Sequence, residues 1–286
     1  MNAPVKAAII YDGSRASLRD RARSLRPIID GRVEVVAELD DLDGEFDPAD
    51  AQVVVVLGGD GTMLRSARLM RRRQLPVVAV NLGKLGFLAD TPPEELDDTL
   101  AQVARGDVRL VNHLMFECSL LREADAEGDD LLDNRVGLNE VAVLAGEPFK
   151  MINVQLYVDG DLATTYSCDG MLVSTPVGST AHNLSVGGPI LRKDLQAFVI
   201  SPINPHTLTV RPVVDTADRA FEIVVADPNP GTRLMVDGQV VGPIEAGDRV
   251  RVIRSKAVFQ LIETRGRGYY RTLREKLGWG RQPREE

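Results

Sequence analysis

Histidine and cysteine are scarce in this chain: three histidines and two cysteines, Cys118 and Cys168, among 286 residues. Neither cysteine belongs to a CxxC pair, which argues against a zinc site and against a disulfide framework. Buried reduced thiols in a cytoplasmic chain are the expectation. Excess positive charge is missing too. The formal net charge is -8, which speaks against general binding of nucleic acid or of membrane surfaces. No apolar run approaches a membrane span, and the short run after Met1 stops at Asp12, too soon for a signal-peptide core. What remains is a chain of ordinary globular composition, 44% hydrophobic and 27% charged, long enough for two domains.

The most informative stretch is Val53 to Thr62, VVVVLGGDGT. Four valines and Leu57 ended by glycines read as a buried strand of a parallel sheet. Ligands of such sheets lie beyond the carboxyl ends of the strands, so Asp60 is delivered to the place where this architecture does its chemistry. Glycines there let a phosphate or sugar approach the backbone. The following segment, Met63 to Arg73, reads as a helix, and a helix N-terminus favours anions. A bare GGDG is equally compatible with a tight turn and a solvated carboxylate.

Strand and helix patterns alternate through the first third of the chain. Strands are expected at Ala7–Tyr11, Val33–Ala37 and Pro76–Val80, and helices at Arg15–Ile29 and from Pro92 to about Arg105. The strand at Pro76–Val80 empties into Asn81 to Leu88, a second glycine-containing loop expected to face the first across a cleft. Phe87 in it is either core filler or a ring beside a planar ligand. This alternation indicates an open α/β parallel sheet. Near Val108 the texture changes to short strands. Two Asp-Gly hairpin turns stand out, Asp159-Gly160 and Asp237-Gly238. A β-rich, sandwich-like second domain follows. Ala124 to Asp133 reads as a polar acidic loop, and Tyr269 to Leu277 as a helix returning to the first domain. The expected division is residues 1–107, 108–262 and 263–286.

Small polar residues concentrate between Ser167 and Leu191, SCDGMLVSTPVGSTAHNLSVGGPIL. A capped helix explains Ser179, but not so many hydroxyl residues beside Asp169, which would suit a dinucleotide's phosphates or amide. Asn139 and Glu140 form a third cluster. As an amide beside a carboxylate they would read an adenine edge and a ribose hydroxyl, or simply make a turn.

Together, GGDGT at 58–62, LGFL at 85–88, NE at 139–140, DG at 169–170, TPVGSTAHNLSVGGPI at 175–190 and SPINPHTLTVRPVV at 201–214 resemble the NAD kinase family, in order and over most of the chain. GGDGT alone is shared with diacylglycerol-type lipid kinases and phosphofructokinases; the long motif is far more specific. The resemblance implies phosphorylation of the 2′-hydroxyl of the adenosine ribose of NAD to give NADP. ATP or inorganic polyphosphate would be the donor and a divalent metal, Mg2+, the cofactor, in a cytoplasmic homodimer or homotetramer. It makes Asp60 the proton acceptor or the ligand of the metal, two roles the sequence does not separate, with Gly61 beside it, and sets Phe87 near the adenosine. Asn139 and Glu140 would hold sugar and base, and Asp169 the nicotinamide side. Thr180, Ala181, His182, Asn183, Leu184 and Ser185 would line the dinucleotide. Arg65 and Lys150 would be polar contacts to phosphates, and Gln239 would reach a dinucleotide across a subunit contact. The family usually has Tyr where this chain has His182, which adds a titratable ring.

Overall fold

The computed structural model describes residues 3–83, 86–122, 135–263 and 269–278. The expected acidic loop at 124–133 lies outside them, as do Lys84 and Leu85. The chain divides into two compact units, Met1–Asn112 with Phe259–Glu286, and His113–Val258.

The first unit is an α/β layer structure. It begins with strand β1 (Lys6–Tyr11), helix α1 (Ala16–Asp30) and strand β2 (Glu34–Leu39). Strand β3 (Val53–Gly58), helix α2 (Asp60–Met70), strand β4 (Val77–Asn81) and helix α3 (Leu96–Arg105) follow. The four strands run parallel in the order β2-β1-β3-β4. All six residues of β3 are buried, as expected of a central strand covered on both faces. Its side chains alternate: Val53, Val55 and Leu57 join the cluster formed with Ala22, Leu25 and Ile29 of α1 and Leu96, Leu100 and Val103 of α3. Met63, Ala67 and Met70 of α2 are buried outside that cluster.

The second unit is built from antiparallel strands. In chain order they are β5 (Arg109–Leu121), β6 (Arg135–Gly137), β7 (Glu140–Leu144), β8 (Ile152–Val158), β9 (Asp161–Cys168) and β10 (Gly170–Ser174). The short helix α4 (His182–Ser185) precedes β11 (Ala197–Ile203), β12 (Val213–Thr216), β13 (Phe221–Val225), β14 (Arg233–Val236) and β15 (Gln239–Pro243). Strand β16 (Arg249–Glu263) follows them, and helix α5 (Tyr269–Leu277) belongs to the first unit. One sheet has the order β12-β11-β10-β7-β14-β15; opposite it β13 pairs with both β16 and β8, and β8 with β9. Phe198 of the first and Phe221 of the second meet edge to face at 5.8 Å between centroids, inside a shared apolar core.

Both Asp-Gly hairpins are present. Asp159, Gly160, Asp237 and Gly238 all have positive φ, the two-residue turn that matches strand twist. The second of these turns joins β14 to β15. Helix α2 starts at Asp60 rather than at Met63, because Gly59 is extended and already acts as its N-cap. Asp60 is thus the first helical residue, where a carboxylate faces the positive end of the helix dipole. Both cysteines are free and buried. Among the described residues no helix is long and apolar enough to cross a membrane.

Candidate functional site

In the first unit the chemistry collects around Asp60. Strand β3 ends at Gly58 and the helix begins two residues later, which aims the carboxylate sideways at the loop that follows the neighbouring strand β4. Its Oδ2 accepts the Phe87 N–H at 2.7 Å, and its Oδ1 accepts those of Leu88 at 2.9 Å and Ala89 at 3.1 Å. The two glycine loops were expected to face each other across a gap; instead Asp60 ties them directly together. A carboxylate has about four acceptor sites, two on each oxygen. These bonds fill Oδ1 and leave one site on Oδ2. Asp60 is not walled off: its side chain is 32% exposed.

Glycine chemistry explains the closeness. A Cβ placed on Gly86 would sit 2.1 Å from Asp60 Oδ1, so only glycine lets the loop close on the carboxylate. Gly59 and Gly61 are different. Neither has a positive φ, and no described atom would lie within 4 Å of a Cβ on either. Among the described residues nothing packs into that space beside the helix start. Phe87 is buried, and the Lys276 ammonium lies 3.9 Å from its ring centroid. The same ammonium is 3.6 Å from Asp60 Oδ2. Arg65 is half-buried on α2, five residues past Asp60.

In the second unit the start of β7 is held by a second carboxylate. Asp237, at the β14–β15 turn, accepts the N–H groups of Leu138 at 2.9 Å, Asn139 at 2.7 Å and Glu140 at 3.2 Å. Glu140 is 5% exposed, and among the described residues its Oε2 finds no hydrogen-bond partner. Burial pushes its carboxyl up to about 8, with repulsion from the Asp237 carboxylate adding to it. A neutral carboxyl there can donate a hydrogen bond as well as accept one. Asn139 beside it is half-buried.

The segment after β10 is folded by its own hydroxyls. Thr175 Oγ1 donates to the Leu138 carbonyl at 2.6 Å and accepts the Gly178 N–H at 3.1 Å. Ser179 Oγ donates to the Pro176 carbonyl and accepts the Leu191 N–H. Asn183 is fully buried: its Nδ2 donates to the Ser179 and Pro189 carbonyls, and its Oδ1 accepts from Ser201 Oγ. Its amide thus serves the loop's shape. Thr180, Ala181, His182 and Leu184 stay half-buried and Ser185 exposed on the same short stretch, leaving these five as its open positions. Asp169 is half-buried at the end of β9, where its Oδ2 accepts from Asn204 Nδ2 at 3.0 Å. Lys150 is exposed in the loop before β8, and Gln239 is half-buried at the start of β15.

Two residues emerge that reading the sequence missed. Asp237 was legible only as a turn former; that its carboxylate also clasps residues 138–140 required the β7–β14 pairing. Lys276 carried no local signal at all. Among the described residues no cluster of three or more His, Cys, Asp or Glu side chains is placed to hold a metal. A magnesium ion bound mainly to nucleotide phosphates and water needs only one or two protein carboxylates, and Asp60 offers one.

The whole chain can be set beside known proteins. Residues 23–108 match the model of the ATP-NAD kinase N-terminal domain and residues 138–264 that of the ATP-NAD kinase C-terminal domain. A NAD kinase of Rhodopirellula baltica is 46% identical over 276 residues, covering 96% of this chain and 87% of that protein. A NAD kinase of Geotalea daltonii is 37% identical over 265 residues, covering 91% and 90%. Among solved structures, yeast NADH kinase complexed with NADH superimposes with a TM-score of 0.84 at 22% identity, covering 100% of this chain and 91% of that one. A NAD kinase from Archaeoglobus fulgidus in complex with ATP gives 0.73 at 25% identity, covering 96% and 98%.

Proposed function

The chain belongs to the NAD kinase family, and from that premise we propose that it transfers the terminal phosphoryl group of ATP to the 2′-hydroxyl of the adenosine ribose of NAD. The observation that carries the reading is Asp60: a carboxylate pinned by three backbone N–H groups, partly exposed, with one acceptor site left on Oδ2. A ribose hydroxyl is a poor nucleophile, and phosphoryl transfer asks the protein chiefly for alignment and charge neutralisation. The hydroxyl oxygen forms a bond to the γ-phosphorus, the bond to the bridging oxygen breaks, and ADP leaves with that electron pair. Asp60 Oδ2 takes the hydroxyl proton as the bond forms. A fixed carboxylate is suited to this, since it need not be reoriented at the moment of reaction.

The remaining residues divide by position. Gly59 and Gly61 leave room for donor phosphates at the start of α2, with Arg65 on the same helix as a phosphate contact. Phe87 borders the adenosine. Asn139 and the neutral carboxyl of Glu140 hold the sugar and base. Asp169 takes the nicotinamide side, and Thr180 to Ser185 line the dinucleotide, Asn183 through the backbone it fixes. Lys150 is a phosphate contact from its loop. Magnesium, carried on the ATP phosphates and water, would neutralise charge on the transferred group, the remaining site on Asp60 Oδ2 being kept for the hydroxyl proton.

The archaeal relative solved with ATP supports ATP as donor, and the yeast relative solved with NADH supports a nicotinamide dinucleotide as acceptor. Polyphosphate is the second donor to try. A homodimer or homotetramer is supported by the edge strands β12 and β15, where Val213, Val214 and Val240 are exposed. Gln239 lies on that same edge strand. The cytoplasm is the proposed compartment, consistent with two free buried thiols. The test is incubation with ATP or polyphosphate, magnesium, and NAD, NADH or diacylglycerol, read by an NADP-specific glucose-6-phosphate dehydrogenase couple, with direct detection of NADPH and of phosphatidic acid. NADP from NAD is the expected product; phosphorylation of the lipid with no NADP from NAD would refute the reading.

A further inference from the structure

We propose that Lys276 is a positioning residue for the phosphoryl transfer, acting through Asp60; the inference rests on the reading of Asp60 as proton acceptor. Lys276 lies in the last turn of α5, 3.6 Å from Asp60 Oδ2 and 3.9 Å from the Phe87 ring centroid. Its direction is set by Leu273, three residues earlier and 1% exposed; residues three apart share a helix face. The helix C-terminus favours a cation at this point. On the outer side Arg271 pairs with Glu275.

Chemistry supplies the reason for a cation here. A nucleotide triphosphate must bring its terminal group close to a hydroxyl that sits against a carboxylate. Two negative groups then converge on one small volume, and their repulsion at a few ångströms is large away from bulk water. An ammonium fixed between the carboxylate and an aromatic face offsets that repulsion. The separation of 3.6 Å is longer than a hydrogen bond. The ammonium therefore supplies charge without occupying the acceptor site that Oδ2 keeps for the hydroxyl proton. The Phe87 ring holds it in place through its negative face, and the Phe87 N–H holds the carboxylate. One residue thus anchors both partners.

A merely structural Lys276, docking α5, would affect stability and leave the kinetic constants alone. The experiment separates the two on NADP formation by the full-length enzyme. Lys276→Met should lower kcat by about tenfold to a hundredfold, with KM for NAD within about threefold of wild type. Lys276→Arg should recover most of the loss, since it keeps the charge. Combined with Asp60→Asn, Lys276→Met should change the residual rate by less than about twofold, because its effect runs through the carboxylate. Arg274→Met on the exposed side of α5 should leave kcat unchanged, and thermal melting should show all variants folded. A kcat for Lys276→Met equal to or above wild type, an arginine variant as slow as the methionine one, or a full additional loss in the Asp60→Asn background would overturn the proposal. A wild-type enzyme that forms no NADP would instead overturn the functional reading beneath it.

Discussion

The Phe87 N–H donates to Asp60 Oδ2 at 2.7 Å across 27 positions of sequence, joining the loop after β4 to the first turn of α2. With the N–H groups of Leu88 and Ala89 on Oδ1, this bond makes Asp60 both the clasp of the loop and the candidate base. The two roles are separable by substitution. Asp60→Asn keeps one oxygen acceptor and loses the charge. It should cut turnover by about a hundredfold to ten-thousandfold while NAD binding by calorimetry remains measurable. Near-wild-type turnover would remove Asp60 from the mechanism.

Gly86→Ala addresses the same contact from the other side. The added Cβ would lie 2.1 Å from Asp60 Oδ1, so either the loop or the carboxylate must shift. Shifts of about an ångström at a reacting group cost on the order of a hundredfold in rate. The expected phenotype is a loss in kcat of at least tenfold. A fully active Gly86→Ala enzyme would show that the clasp does not set the position of the base.

Gly61→Ala should separate stability from activity. Gly61 lies in α2 with no described atom near its Cβ position, so alanine should stabilise the helix by about 0.5–1 kcal/mol. If the open space belongs to the phosphoryl donor, KM for ATP should rise several-fold in the same variant. Urea unfolding and initial rates on one preparation check both; a stabilised variant with unchanged KM would leave the space without a ligand.

Glu140 should give the fold a pH dependence of definite sign. Its carboxyl is held up to about 8 by burial, then by Asp237, against an ordinary value of 4.5. The folded state therefore keeps a proton that the unfolded chain releases. Its stabilising contribution is complete below about pH 4.5, declines as pH rises toward 8, and is lost above that. Glu140→Gln cannot lose a proton. Wild type should lose stability relative to this variant between about pH 5 and 8, by up to a few kcal/mol. Parallel urea midpoints across that range would contradict a carboxyl held neutral by the fold.

Most of the architecture was legible because it rests on periodicity. The valine run of β3, the apolar stripes of α1 and α3, and the Asp-Gly turns each encode their element locally. The start of α2 was misread because Gly59 and Gly61 look like loop residues, whereas an extended Gly59 caps a helix that tolerates Gly61 in its first turn. Short strands β6 and β12 lack a pattern long enough to detect. Long-range carboxylate contacts were invisible for a different reason. That Asp60 would grip residues 87–89 follows from β3 and β4 lying side by side, and that Asp237 would grip residues 138–140 from β7 pairing with β14. Lys276 reaches Asp60 from the far end of the chain, and no spacing rule links them.

The chemistry turns on which oxygen receives the phosphoryl group and which side chain makes that possible. The most direct measurement is phosphorus NMR of the dinucleotide product, made by wild type and by Asp60→Asn from NAD, ATP and magnesium. Wild type should yield a phosphomonoester coupled to the adenosine ribose 2′ proton, and the variant almost none in the same time. A phosphomonoester on any other oxygen, or equal yields from the two proteins, would contradict the account.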